Sequence, residues 1–134
     1  PASNSAMLAR ALKGTGVELC PLMAGLAPPA FDLVWLGVGM DGHIASIFPG
    51  MSLADDAPAE VVYALPDPLP FEAPFARLTL TMRGLANAGE IILVIRGEAK
   101  KAMLKKALLP GSVLPVARFV RMALSPVTIY WSAS

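Results

Sequence analysis

Residues 31–39, FDLVWLGVG, form a nearly uninterrupted apolar run that ends in glycines, and this run limits the choice of folds more than any other segment. A run of this kind predicts a β-strand that is buried on both faces, as strands of parallel sheets are. Residues 91–95, IILVI, predict a second buried strand in the same way. Three further segments have strand character: EVVYAL at 60–65, RLTLT at 77–81 and VTIYW at 127–131.

Segments with helical character alternate with these strands: SNSAMLARALKG at 3–14, MRGLANAG at 82–89 and GEAKKAMLKKALL at 97–109. A glycine or proline closes each pattern, at Gly14, Gly89 and Pro110. The proline-rich stretch at 66–74 predicts extended chain on the surface. The alternation predicts a single α/β domain over residues 1–134, with a Rossmann-like, largely parallel sheet flanked by helices.

The charge balance excludes partners that bind through a strong electrostatic field. Lys and Arg number 11 against 10 Asp and Glu, so the net charge is +1 and we expect neither a nucleic acid nor a membrane as partner. Pro21, Pro28 and Pro29 interrupt the most apolar region, which leaves no stretch of the roughly 20 helical residues that a membrane span requires. Cys20 has no second cysteine to pair with, which fits the reducing cytoplasm.

The chain is unusually apolar for its length. Hydrophobic residues make up 55% of it and charged residues 16%, against about 45–50% and about 25% in average domains. We expect this apolar surface to be covered by a partner in a homo-oligomer or by a missing N-terminal part of the domain. The start at Pro1 instead of methionine predicts a fragment or a processed product.

The loop after the first predicted strand, GVGMDGHIASIFPG at 37–50, contains a G-x-G-x-x-G pattern at Gly37, Gly39 and Gly42. In dinucleotide-binding folds this pattern opens a helix, and an acidic residue follows about 20 positions later at the end of the next strand. Here Pro49 leaves room for at most about two helical turns after the glycines. Nucleotide binding is therefore disfavoured.

His43, the single histidine of the chain, lies in the same loop. Ligands of α/β sheets bind beyond the carboxyl ends of the strands, where glycines let the backbone turn sharply and approach a ligand closely. Histidine side chains accept protons near neutral pH, and the neighbouring carboxylate of Asp41 can orient the ring. A catalytic base is one interpretation of His43. A buried histidine that is hydrogen-bonded to backbone beside a structural turn is the other.

Two cationic residues are candidates for binding an anion. Lys100 falls in the first turn of the predicted helix after IILVIRG, where free N–H groups and the helix dipole favour negative charge. Its alternative role is as one member of a solvated lysine face. Arg77, at the start of RLTLT, is either an edge charge or an anion contact. One histidine and one cysteine do not make a zinc site, so we expect no metal.

Several segments together resemble the 6-phosphogluconolactonases, which share a superfamily with the glucosamine-6-phosphate deaminases. The most specific of these segments is DGHIASIFPG at 41–50. It is followed by RLTLT, IILVIRGEAKKAMLKKAL, LPVARF and VTIYW. The resemblance extends from SNSAMLARAL to the last predicted strand and covers nearly the whole chain.

This resemblance implies a carboxylic ester hydrolase of the cytoplasm that opens 6-phosphogluconolactone to 6-phosphogluconate, a step of the pentose phosphate pathway. It implies that His43 is the general base that activates water, with Asp41 beside it. The substrate-binding residues that it implies are Gly37, Gly39, Gly42, Arg77 and Lys100. It implies a small sugar-phosphate lactone as the partner, with no metal and no cofactor.

Two departures from the family pattern bear on function. The deaminases carry an acidic residue where this chain has Phe48, which favours lactone hydrolysis over a deaminase-like isomerisation. The family's N-terminal phosphate loop and its acidic-Glu-Arg motif precede the SN at residues 3–4. We therefore expect the chain to be the C-terminal portion of the domain, inactive or weakly active by itself. A non-catalytic sugar-phosphate-binding or regulatory module is the remaining alternative, which the retained histidine disfavours.

Overall fold

A computed structural model describes residues 4–69 and 75–134. In chain order the elements are α1 (Asn4–Ala11), β1 (Phe31–Gly37), β2 (Val61–Ala64), β3 (Arg77–Leu80), α2 (Met82–Ala86), β4 (Ala88–Arg96), α3 (Glu98–Ala107), α4 (Pro115–Met122) and β5 (Val127–Ser132). All five predicted strands are present, and each of the three predicted helices has a counterpart.

Three parallel strands form the main sheet in the order β1-β4-β5. The central strand is β4, in which Leu93 lies beside Leu36 of β1 and beside Ile129 of β5. The chain passes from β4 to β5 through α3 and α4, because two neighbouring parallel strands require a long crossover connection. This arrangement confirms the predicted α/β class with a largely parallel sheet.

The strands β2 and β3 pair antiparallel in a separate two-stranded sheet. Thr81 follows β3, and its buried hydroxyl caps α2 by accepting the N–H of Gly84 at 3.3 Å. The same hydroxyl donates to the carbonyl of Pro58 at 2.9 Å, which ties the start of α2 to the chain before β2. A side-chain oxygen at this position satisfies one of the helix's unpaired N–H groups.

The hydrophobic core lies on one face of the main sheet. The buried side chains on this face are Val34, Leu36, Ile91, Leu93 and Ile95. They belong to one cluster with Leu104 and Ala107 of α3 and with Val116 and Phe119 of α4. Because every second residue of a strand points to the same face, β1 and β4 bury alternate residues here.

The opposite face of the main sheet is open. Trp35 on β1 and Tyr130 on β5 expose 67% and 56% of their surface, and Leu33 is also exposed. The prediction that residues 31–39 are buried on both faces is therefore wrong, because side chains of β1 alternate between a covered and an uncovered face. Parallel sheets are normally covered on both faces. The apolar excess of the composition is thus found partly on this open face.

One helix boundary differs from the prediction, and one helix was not predicted. Gly89 does not close α2, which ends at Ala86; it lies inside β4, where an added Cβ would come within 3.1 Å of the carbonyl oxygen of Asp32. Helix α4 was not predicted, although it begins with Pro115 at its first turn, a favourable position for proline. A helix of this length is marginally stable by itself, and its packing against the core stabilises it.

The predicted extended stretch at 66–74 is only partly described. Pro66 and Pro68 lie in chain that is neither helix nor strand, whereas residues 70–74 fall outside the described residues. Among the helices of the described residues, none combines the length and the apolarity needed to cross a bilayer.

Candidate active site

The loop at residues 38–50 leaves β1 at the carboxyl edge of the main sheet. Because β4 runs parallel to β1, with Gly37 beside Val94, both strands end at this edge. In α/β sheets the crevice beyond this edge is where ligands bind. The loop therefore has the position that the sequence predicted for it.

Backbone hydrogen bonds fold the loop back on itself. The N–H of Gly39 donates to the carbonyl of His43 at 2.9 Å, and the N–H of Gly42 donates to the carbonyl of Gly39 at 3.0 Å. Ile44 and Ile47 are fully buried and anchor the loop in the core. The loop consists of turns and isolated bridges with no helix, so the element that a dinucleotide fingerprint requires is missing here.

The carboxylate of Asp41 holds the imidazole of His43. The Nδ1 atom of His43 lies 2.6 Å from Oδ1 of Asp41, and the same oxygen accepts the backbone N–H of His43 at 3.1 Å. The His43 side chain is 33% exposed, and within the described residues no group is hydrogen-bonded to its Nε2 atom. A histidine buried among backbone partners, the alternative interpretation, does not match this geometry.

Two opposing effects act on the pKa of the Asp41 carboxyl. Partial burial raises the pKa by disfavouring the carboxylate, whereas hydrogen bonds from the backbone and side chain of His43, together with its charge, lower it. The net effect is a pKa below the usual value, so Asp41 is ionised at neutral pH. An ionised carboxylate at Nδ1 favours the tautomer that carries its proton there, which leaves a lone pair on Nε2.

Two of the three glycines are required by the shape of this loop. A Cβ on Gly39 would lie 2.1 Å from Nδ1 of His43 and 2.7 Å from Oδ1 of Asp41. Gly42 has a φ of +81°, and a Cβ there would lie 3.1 Å from the side chain of Leu114. Beside Gly37, in contrast, no heavy atom of the described residues lies within 4 Å of an added Cβ. The glycine pattern thus makes room for the Asp41–His43 pair.

Phe48 and Arg77 extend the site beyond this pair. The rings of His43 and Phe48 are stacked, with centroids 4.5 Å apart and planes inclined by 30°. The guanidinium carbon of Arg77, at the start of β3, lies over the Phe48 ring, 5.1 Å from its centroid. The structure therefore brings Arg77 to the same side of the molecule as His43, with Phe48 contacting both.

Lys100 lies in the first turn of α3, which begins where β4 ends at the same carboxyl edge. It is half-buried, and no hydrogen bond or ion pair joins it to another described residue. The neighbouring Lys101 is also half-buried, and its Nζ lies 3.4 Å from the ring centroid of Trp131. Within the described residues, no group of three or more His, Cys, Asp or Glu side chains is arranged to hold a metal ion.

The first turn of α4 supports the loop, and this contact was not predicted from the sequence. The N–H of Val116 donates to the carbonyl of Gly42 at 3.0 Å, and Leu114 packs against Gly42. The proline after Leu114 in LPVARF is the local signal for this helix start, but its contact with a residue more than 70 positions earlier has no signal in the sequence.

Arg118, also on α4, holds the chain that follows the loop. Its Nε donates to Oδ2 of Asp55 at 3.0 Å, and a terminal nitrogen donates to Oδ1 of Asp55 and to the carbonyl of Leu53. A planar guanidinium can make such a two-pronged contact with a carboxylate, which fixes orientation as well as distance. α4 therefore contacts both the loop, at Gly42, and the chain that follows it, at Leu53 and Asp55.

A family model for glucosamine-6-phosphate isomerases and 6-phosphogluconolactonases matches residues 2–130. The chain belongs to this family. The resemblance that rested on the DGHIASIFPG segment and the segments after it is thereby confirmed at the level of the family.

Members of the glucosamine-6-phosphate isomerase/6-phosphogluconolactonase family are similar to this chain in sequence and in fold. A 6-phosphogluconolactonase of Caulobacter vibrioides is 39% identical over 112 residues, which cover 79% of this chain and 46% of that protein. A 6-phosphogluconolactonase of Rhizobium meliloti is 38% identical over 119 residues, covering 81% and 48%. The solved structure of 6-phosphogluconolactonase from Trypanosoma brucei matches with a TM-score of 0.63 at 30% identity, covering 97% of this chain and 52% of that one.

The chain spans about half the length of the family members that it matches. The fold of that half, with its parallel sheet and flanking helices, is shared with the Trypanosoma brucei structure. The roles of the individual residues, including Arg77 and Lys100, stay predictions that rest on their positions around His43.

Proposed function

We propose that this chain belongs to an enzyme that hydrolyses 6-phosphogluconolactone to 6-phosphogluconate. The observation that carries the proposal is the Asp41–His43 pair at the carboxyl edge of the sheet, with Nδ1 bonded to the carboxylate and the ring one-third exposed. An imidazole in this state is suited to accept a proton from water. Relatives with the name 6-phosphogluconolactonase support the choice of substrate.

In this mechanism His43 acts as the general base through Nε2. It takes a proton from a water molecule while the water oxygen attacks the lactone carbonyl carbon, which forms a tetrahedral oxyanion. The bond between that carbon and the ring oxygen then breaks, and the imidazolium returns its proton to the ring oxygen. One water is consumed, and the products are a carboxylic acid and a hydroxyl group on the same molecule. Asp41 stabilises the imidazolium that forms between these steps.

Binding of the substrate falls to cationic groups and to the open backbone of the loop. Arg77 and Lys100 supply positive charge for the phosphate, which lies far from the reacting carbonyl and orients the lactone. The glycines Gly37, Gly39 and Gly42 allow close approach of the sugar to the main chain. The exposed and unpaired Cys20 fits a protein of the reducing cytoplasm.

Phe48 favours lactone hydrolysis over amino-sugar isomerisation. An isomerase must move protons between carbon and oxygen atoms and needs additional ionisable groups for that purpose. The side chain stacked on His43 is a phenyl ring, which cannot donate or accept a proton. A module that only binds sugar phosphates would have no use for a base that is oriented by a carboxylate.

The test is the turnover of His43→Ala in the protein expressed from its complete gene. General-base catalysis contributes about 100- to 10,000-fold, so we expect kcat for 6-phosphogluconolactone to fall by that amount, with KM little changed. Acid release above the uncatalysed rate is measured, and circular dichroism checks that the variant is folded. If His43→Ala opens the lactone as fast as the wild type does, His43 is not the base. Binding of the lactone without turnover by the wild type would favour the regulatory module.

A further inference from the structure

Phe48 is held rigidly beside the imidazole of His43. Only 8% of its surface is exposed, its N–H donates to Sδ of Met51 at 3.2 Å, and its neighbour Ile47 is fully buried. The guanidinium of Arg77 lies over its ring, a cation–π contact that further restricts the ring plane. The ring is therefore a fixed surface on which the imidazole of His43 rests.

The Asp41 contact alone does not fix the imidazole. A ring that is bonded through one nitrogen can still tilt about that bond, and such tilting redirects the lone pair on Nε2. The stacked Phe48 ring restricts this remaining motion, because its centroid lies 4.5 Å from that of His43 with an inclination of 30°. Asp41 and Phe48 thus control two different features of the ring, its tautomer and its plane.

We infer that Phe48 is a positioning residue, which sets the plane of the His43 imidazole so that Nε2 faces the attacking water. This inference rests on the proposed function, since it concerns the same base. Phe48 takes no part in proton transfer and acts only through His43. The competing view is that Phe48 is an ordinary core side chain, whose loss lowers stability and nothing else.

The kinetic arm of the test compares three variants of Phe48. Because displacement of a reacting group by about 1 Å can cost about 100-fold in rate, we expect Phe48→Leu to lower kcat by roughly 10- to 100-fold and to change KM by less than about threefold. Phe48→Tyr keeps the ring and is expected to retain most of the activity. Phe48→Met keeps buried volume but has no ring face, so it replaces Phe48→Leu if the latter does not fold.

The matched control is Phe31→Leu, the same substitution at a partly buried phenylalanine that packs against the hydrophobic core. Phe31 begins β1 and so lies at the edge of the sheet opposite the loop. We expect this variant to lose stability while its kcat stays within about twofold of the wild type. If Phe31→Leu and Phe48→Leu lower kcat to the same extent, Phe48 is only a core residue.

The second arm is independent of activity and follows the ring C–H resonances of His43, the single histidine of these 134 residues, which are assigned as the signals that His43→Ala lacks. In the wild type these protons lie next to the Phe48 ring and experience its ring current. We expect Phe48→Leu to move both His43 resonances and Phe31→Leu to leave them in place. Unchanged resonances in Phe48→Leu would overturn the inference. If the wild type does not hydrolyse the lactone, the proposed function fails, whereas the spectra still report whether the Phe48 ring lies against the imidazole.

Discussion

Two segments reach the carboxyl edge of the main sheet, and they are built in opposite ways. The loop at 38–50 is fixed by its own backbone hydrogen bonds, by buried Ile44 and by the first turn of α4. The start of α3 has no side-chain cap, and Lys100 projects from it without a hydrogen-bond partner among the described residues. The first segment is preorganised, whereas the second offers a charge on a flexible stem.

This difference indicates which side chains at the carboxyl edge must be placed accurately. A base must be placed to within a fraction of an ångström, because proton transfer depends steeply on distance and direction. A phosphate can be attracted by a lysine in several positions, since an ammonium on a four-carbon chain adapts to its ligand. Substitutions in the loop should therefore cost much more than substitutions at the start of α3, and three experiments test that order.

The largest effect is expected for Gly39→Ala. Its Cβ would overlap the imidazole of His43 and the carboxylate of Asp41, so the pair must move. We expect kcat to fall as far as in His43→Ala, and the free energy of unfolding to fall by about 1–3 kcal/mol, as overpacking does. Thermal unfolding and lactone hydrolysis measure the two effects.

The control for this variant is Gly37→Ala, because no described atom lies near the added methyl group. Its free energy of unfolding should stay within about 1 kcal/mol of the wild type. Equal destabilisation by both substitutions would mean that the loop is not as closely fitted around His43 as the distances indicate.

An intermediate effect is expected for Asp41→Asn. The amide can still accept the Nδ1 proton, but it no longer stabilises the imidazolium. We therefore expect kcat to fall by roughly 10- to 100-fold, which is less than the general-base contribution as a whole. A variant with wild-type kcat would show that the carboxylate does not assist His43.

The same variant has a predicted pH dependence of stability. Because the pKa of Asp41 is lower in the folded chain than in the unfolded chain, folding favours the ionised form. The stability that this carboxylate contributes is complete above about pH 5 and is lost as the pH falls through its lowered pKa. Making the buffer more acidic than about pH 5 should therefore shrink the difference in unfolding free energy between the wild type and Asp41→Asn, as urea titrations can measure.

The smallest effect is expected for Lys100→Ala. Loss of one hydrogen bond to a charged group costs about 1.5–3 kcal/mol at most, and water replaces part of it, so KM should rise by about tenfold or less with kcat nearly unchanged. Lys105→Ala on the exposed side of α3 is the matched control and should leave KM unchanged. If Lys100→Ala lowered kcat as much as Asp41→Asn does, substitutions in the loop would not cost more than substitutions at the start of α3, and the expected order would be wrong.

Much of the fold follows from local patterns in the chain. The apolar runs at 31–39 and 91–95 predicted β1 and β4, and their glycines predicted the turn that carries His43. The Asp41–His43 contact spans only two residues, so it also lies within reach of sequence reasoning. The misplaced end of α2 reflects Gly89, whose role is close packing of β4 against β1 and not helix termination.

Other features depend on contacts between distant parts of the chain. Nothing in the local pattern indicates that Arg77 lies over Phe48, or that Arg118 holds Asp55. The open face of the main sheet could not be predicted from the sequence either, because a strand's apolar residues do not reveal what packs against each side. Helix α4 is short, and its stability comes from burial of Phe119 and not from helix propensity.

The sequence by itself determined the α/β class, the family, and the loop in which an aspartate and a histidine lie two residues apart. These depend on periodicity, glycine placement and short-range contacts, which the order of residues fixes directly. Only the tertiary structure decided which face of the sheet is covered, which helix braces the loop, and that a phenyl ring lies against the imidazole. Those outcomes come from packing between segments far apart in the chain, where the free energy of many weak contacts together selects one arrangement.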